Sequence, residues 1–199
     1  MNTAQTPVSR VSGPLDGGKG RPFGSPAASL VAEHGYLIEE FLLDGTAQAY
    51  APAAGSSVGL DGRWTVEPAA TSAYQTRMYV VRPEDPARFN GVVLVNWQNV
   101  TAGFDIGAPG IHDMTHGFAW VGITAQQVAV DGQSSLTAGV PATAGLAVWD
   151  PYRYGRLHHP GDEFSYDIFT QAARTLAADR PLYGVDPLGG LRPLLLCLL

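Results

Sequence analysis

Several stretches of this sequence carry residue types that can do chemistry. His112 and His116 stand four apart with Asp113 beside the first. On a helix that spacing puts both imidazoles on one face. It approaches H-E-x-x-H, where the acid activates a zinc-bound water. His158 and His159 offer a third ligand, but Gly117 breaks the helix at once and Asp is shorter than Glu. Histidines bonded to backbone at a helix end explain the pattern as well. Gly55-Ser56-Ser57-Val58-Gly59 fits G-x-S-x-G, a nucleophile turn that needs a buried strand before it and a helix after it. Neither the Ala51-Pro52 approach nor the Leu60-Asp61-Gly62 exit supplies one, so Ser57 reads as a loop serine. The segment from Gly13 to Gly20 (GPLDGGKG) puts Lys19 at phosphate-loop spacing. Gly20 replaces the Mg²⁺-holding Ser/Thr and no strand precedes, so a solvated turn is expected. Asp162 and Glu163 are adjacent carboxylates, which suits an acid-rich helix entry.

The stretch Asn96-Trp97-Gln98-Asn99-Val100-Thr101-Ala102-Gly103 matters more, because a buried strand there runs into a polar loop. Ligands of parallel α/β sheets bind at the carboxyl ends of strands, and N–H groups at such a loop can stabilise an oxyanion. The flanking elements follow from pattern. Residues 36–43 (YLIEEFLL) and 74–82 (YQTRMYVVR) read as outer strands, and 91–97 (GVVLVNW) and 118–124 (FAWVGIT) as strands buried on both faces. The final run from Leu194 to Leu199 reads as a fifth, buried core strand. Residues 165–178 predict a helix capped by Ser165, with Asp167 in its first turn and Ile168, Phe169, Ala172 and Leu176 on one face. Residues 111–116 predict a shorter one. Strands alternating with helices give an α/β fold with a largely parallel sheet, the earlier strands free to be antiparallel. A loop-rich arm (1–26) precedes one domain (27–199). Residues 51–62 and 128–145 form long loops, and a part for the second in covering a site stays open.

Composition narrows the partners. The chain has 199 residues, is 45% hydrophobic and 15% charged, and carries net charge −6, which supports one globular core. Lys19 is the only lysine and no basic stripe exists, so neither nucleic acid nor an anionic membrane surface is expected as a partner. The single cysteine, Cys197, excludes an intrachain disulfide and a cysteine zinc cage, and reads as a small buried hydrophobe. The start, from Met1 to Arg10, has no apolar core of a secretory signal, so a soluble cytoplasmic protein is expected. No cofactor is expected.

A set of short words in fixed order resembles the amino-terminal portion of a bacterial alpha/beta-hydrolase domain family. They are Arg21-Pro22-Phe23-Gly24, His34-Gly35-Tyr36 before Glu39-Glu40-Phe41, Asp85-Pro86-Ala87-Arg88-Phe89-Asn90-Gly91, and Val95-Asn96-Trp97-Gln98-Asn99-Val100. Phe118-Ala119-Trp120-Val121-Gly122 with Ala125-Gln126-Gln127 follows, then Trp149-Asp150-Pro151-Tyr152-Arg153-Tyr154-Gly155. Leu157-His158-His159-Pro160-Gly161-Asp162, Ser165-Tyr166-Asp167-Ile168-Phe169 and Pro187-Leu188-Gly189-Gly190-Leu191-Arg192 complete the set, over about residues 11–193.

The resemblance implies an alpha/beta-hydrolase-like fold and a serine hydrolase of ester-type substrates. It makes 91–97 the strand before the oxyanion loop, with Gln98 and Asn99 as loop candidates. It makes 165–178 the helix before the nucleophile strand. That strand is the one entered at Leu191, and the sequence reaches Leu199 without an elbow. The expectation is therefore a truncated, mostly parallel sheet, with catalytic Ser, acid and His beyond Leu199 and no catalytic residue in this chain. A small-molecule substrate is expected only of a full-length form. Two alternatives remain. One is a non-catalytic binding or assembly module that pairs, self-associates or aggregates through Leu194 to Leu199. The other is a zinc hydrolase using His112 and His116.

Overall fold

A computed structural model describes residues 8–133, 143–178 and 184–199. Part of the expected loop 128–145 (residues 134–142) and the stretch 179–183 after the long helix lie outside the described residues. The strands are β1 (Arg10–Ser12), β2 (Tyr36–Pro52), β3 (Val66–Pro83), β4 (Val92–Trp97), β5 (Ala119–Ile123), β6 (Gly132–Gln133), β7 (Thr143–Ala144) and β8 (Leu195–Leu198). The helices are α1 (Ala28–Glu33), α2 (Ile111–Thr115), α3 (Gln127–Asp131), α4 (Leu146–Trp149), α5 (Pro151–Tyr154) and α6 (Ser165–Leu176).

Six strands form one sheet in the order β1-β2-β3-β5-β4-β8. The first three pairs are antiparallel, while β5/β4 and β4/β8 are parallel. Hence β2, β5, β4 and β8, four of the six, run the same way, and β1 and β3 oppose them. The sheet is mixed but mostly parallel in direction, as an alpha/beta-hydrolase-like fold requires.

Alternation along β2 and β3 sends neighbouring residues to opposite faces. Phe41, Leu43, Met78 and Val80 join Val93, Val95, Val121 and Ile123 in a core that α6 covers with Ile168, Ala172 and Leu176. On the other face Tyr79, Val81 and Trp120 pack with Met114 of α2, and Leu42 packs with Leu146 and Tyr154. Helices thus cover both faces, which explains why β4 and β5 lack a polar alternation.

Several local expectations are corrected: β1 lies inside the expected arm 1–26 and pairs with β2, and α3, β6 and β7 occupy the described ends of the expected loop 128–145. β2 and β3 run well past 36–43 and 74–82 as one hairpin, register Tyr36↔Pro83 to Pro52↔Val66, with a shift between Gln48 and Tyr50. Its outer half is built from small and polar residues with weak strand preference, and cross-strand pairing decides it. Ser165 does not cap α6: it lies inside the first turn with its Oγ buried and unpartnered. Asp167 does serve that turn's surroundings, accepting from Gln48 N and Gln171 Nε2, each at 2.8 Å. The run at Leu194 forms β8, which among the described residues pairs in parallel with β4, and Leu194, Leu195, Leu198 and Leu199 are exposed.

Candidate functional site at the carboxyl edge of the sheet

Because β4, β5 and β8 are parallel, their carboxyl ends meet at one edge of the sheet. The register Val92↔Leu195 to Val95↔Leu198 brings Leu199 beside Trp97, whose N–H donates to the Leu199 carbonyl at 2.9 Å. The Trp97 ring packs against Phe169 and Tyr166 of α6 at centroid distances of 5.3 and 5.5 Å, and its Nε1–H donates to Gln126 Oε1 at 3.0 Å. Side chains from β4, the β5 exit and α6 therefore converge on the point that β8 reaches.

The loop after β4 forms the other wall. Asn99 and Ile106 close it with reciprocal backbone bonds of 3.0 and 2.7 Å. Beyond this neck, Asp105 Oδ2 accepts from Thr124 Oγ1 and lies 3.3 Å from Arg77 Nη2, and the Gly107 carbonyl accepts from Tyr79 O–H. Residues 98–107 are thus fastened to β3 and to the end of β5. Gln98 N–H donates to the Ile123 carbonyl at 3.2 Å and Asn99 N–H to the Ile106 carbonyl at 3.0 Å. Both main-chain donors named from sequence already have protein acceptors. Their side-chain amides differ: Gln98 Nε2 is buried without a partner, and exposed Asn99 uses only Oδ1, which accepts from Thr101 N at 2.8 Å.

Beneath the loop lies a buried charge network that the sequence reading missed. Arg77 Nη1 is 3.3 Å from Glu40 Oε1, and Arg153 Nε is 2.6 Å from Glu40 Oε2. Tyr154 O–H donates to Glu40 Oε1 at 2.8 Å. Burial opposes the charge on Arg77, but Asp105 and Glu40 outweigh it and raise its pKa. Burial also raises the Asp105 carboxyl, an effect that Arg77 and Thr124 only partly offset. A sequence signal existed: within β2, alternation puts Glu40 on the same inward face as Leu42.

The network also holds the N-terminal arm. Arg153 donates to the carbonyls of Gly17 and Leu15 at 3.0 and 3.2 Å, and Arg77 donates to that of Phe23 at 3.0 Å. The glycine-rich segment with Lys19 is an exposed turn, as its sequence predicts, and backbone groups tie it to the fold. Its Lys19 N–H donates to Asp150 Oδ2 at 2.6 Å, and this hydrogen bond leads the causes that lower the Asp150 pKa. The turn does cradle an anion, but the anion is the chain's own carboxylate. A side chain on Gly18 would overlap that carboxylate.

The remaining candidates do not assemble. The His112 and His116 rings lie tilted by 33° with centroids 4.0 Å apart, His116 Nδ1 bonds the His112 carbonyl at 2.9 Å, and Asp113 accepts from Gly110 N at 2.8 Å as a helix cap. No group of three metal-ligating side chains gathers among the described residues, and His159 is buried elsewhere. Ser57 sits exposed in the β2–β3 connection. Where the described imidazoles make hydrogen bonds, their partners are main-chain groups.

His159 has a consequence for stability. Its Nε2 bonds the Ala125 carbonyl at 2.9 Å and its Nδ1 accepts from Gly161 N at 3.3 Å, so the neutral ring fits and burial lowers its pKa below 6.5. Between the folded-state pKa and 6.5 the unfolded chain binds more protons. Its stabilising contribution is therefore present above the ordinary value and lost as pH falls through the folded one. Urea midpoints at pH 7.5 and about 5.5 should differ less in His159→Gln than in the parent; an equal drop in both would rule the imidazole out.

The alpha/beta hydrolase domain family matches residues 11–197, almost the whole chain. The chain belongs to the alpha/beta hydrolase domain family. No curated protein and no solved structure matches it. Among the described residues no helix is long and apolar enough to cross a membrane.

Proposed function

We propose that the carboxyl edge of β4, β5 and β8 is the acyl-transfer site of a serine hydrolase acting on ester-type substrates. The observation that carries this reading is β8 itself. It follows α6, runs parallel to β4, and ends beside Trp97 and the loop 98–107. A nucleophile turn of this fold follows a sheet strand and faces the loop that completes the oxyanion hole.

In this reading a serine following β8 attacks the ester carbonyl, and a histidine takes its proton and returns it to the leaving alcohol. Water then releases the acyl group. The developing negative charge falls near the loop after β4. With the Gln98 and Asn99 main-chain N–H groups spent and the Gln98 amide buried, the exposed side-chain amide of Asn99 is a donor the loop offers; such amides serve in oxyanion holes. Serine, acid and histidine come from chain outside residues 1–199, and this polypeptide supplies the scaffold and the loop.

Two measurements test this. A polypeptide of residues 1–199 should release p-nitrophenol from a p-nitrophenyl ester no faster than buffer does. Hydrolysis abolished by a serine-directed phosphonate would overturn the placement of the nucleophile. The nucleotide sequence after the Leu199 codon should encode Gly-x-Ser-x-Gly or a close variant in one of its phases, and its absence from all of them would count against the serine mechanism.

A further inference from the structure

A second concave surface shares Tyr166 with the sheet edge. The tip of the β2–β3 hairpin leans toward the start of α6, and a cavity of about 490 Å³ opens between them. Tyr50, Trp64 and Tyr166 line it with Val66, and Asp162 and Glu163 stand at its α6 side. The three rings are 47%, 42% and 62% exposed, which is unusual for aromatics gathered in one hollow. No Lys, Arg or His is among the lining residues.

The rings are held in place. Trp64 meets Tyr166 edge-on, with centroids 6.5 Å apart and planes at 85°, and its Nε1–H donates to the Gly59 carbonyl at 2.6 Å. Tyr166 is backed by Trp97 on its other side. Asp162 spends Oδ1 on Gln127 N–H at 2.8 Å, and its Oδ2 makes no hydrogen bond among the described residues. Glu163 is exposed and forms no ion pair among them.

Aromatic faces carry negative quadrupole potential, and two carboxylates add full negative charge. Anions are repelled. The described side chains give no cluster of metal ligands. A compact, strongly hydrated ammonium would lose water against Val58, Val66 and the rings without compensating hydrogen bonds. An alkylated ammonium holds its water weakly and offers methyl groups to the walls. We propose that this cavity binds a small organic cation, a quaternary or alkylated ammonium. The proposal stands on the hairpin and α6 and does not depend on the acyl-transfer reading.

The test titrates the protein with choline and, separately, with 3,3-dimethylbutan-1-ol, its uncharged carbon isostere. Binding is followed by saturation transfer to the ligand methyl groups, and the Trp64 indole N–H resonance, assigned by its loss in Trp64→Phe, reports the place. Choline should bind saturably and shift that resonance, with the alcohol about tenfold weaker or more. Trp64→Leu should lose about tenfold in choline affinity, and Glu163→Gln, at an exposed carboxylate, should weaken it without disturbing the rings. Circular dichroism separates these losses from unfolding. Equal affinity for the alcohol would make the cavity a neutral apolar site and overturn the proposal. So would no saturable choline binding, or unchanged affinity in both variants.

Discussion

Replacing Arg77 with Met is expected to destabilise the fold by about 3–5 kcal/mol. The guanidinium is fully buried and lies 3.3 Å from both Glu40 and Asp105. Removing it leaves two carboxylates without their shared cation. Glu40 keeps Arg153 at 2.6 Å and Tyr154 at 2.8 Å, so the loss falls mainly on Asp105. Burial already raises the Asp105 pKa with Arg77 present, and without Arg77 it should rise further. A carboxyl raised in the fold contributes stability that is present below its unfolded value and lost as pH rises through the folded one. The variant should therefore come closest to the parent at acid pH, and Asp105→Asn added to Arg77→Met should recover part of the loss at pH 7. Urea unfolding across pH measures this. A cost below about 1 kcal/mol, the range of an exposed pair, would show that the network is solvated and the account wrong.

Ile168→Ala should cost about 2–5 kcal/mol. Ile168 is fully buried on α6 and lies in the core that holds Val93, Val95, Val121 and Ile123. The cost combines the lost transfer energy with the cavity left where sheet and helix meet, since close-packed surroundings relax only partly. The same helix carries Tyr166 and Phe169 against Trp97, so loosening it should also disturb the carboxyl edge. Denaturant midpoints measure the first effect, and the Trp97 indole resonance measures the second. A loss under about 1 kcal/mol would mean that the site collapses around alanine.

Both predictions turn on residues of very different legibility. Ile168, Ala172 and Leu176 repeat at helical spacing, so the buried face of α6 could be read before any fold was known. The β-branched runs of β4 and β5 were legible for the same reason, because burial on both faces removes polar alternation. Arg77, Glu40 and Asp105 come from a strand, its neighbour and a loop, and no local window holds them together. Gln98 and Asn99 were found as loop residues, yet which of their amides are free depends on Ile123 and Ile106, carbonyls distant in the sequence.

The sequence alone determined the α/β class, the order of five of the strands and of the helices α2 and α6, the buried face of α6, and the family through short words in a fixed order. These are properties of local periodicity and turn chemistry, which act over a few residues. Only the tertiary structure decided that the apolar run at Leu194 pairs in parallel with β4, that the glycine-rich turn holds Asp150, and that His112 and His116 gather no third ligand among the described residues. It also decided that Trp64 faces Tyr166 across a cavity with two carboxylates. Each depends on which distant segment fills the neighbouring space, and side-chain chemistry fixes what a residue can bind but not what is placed beside it.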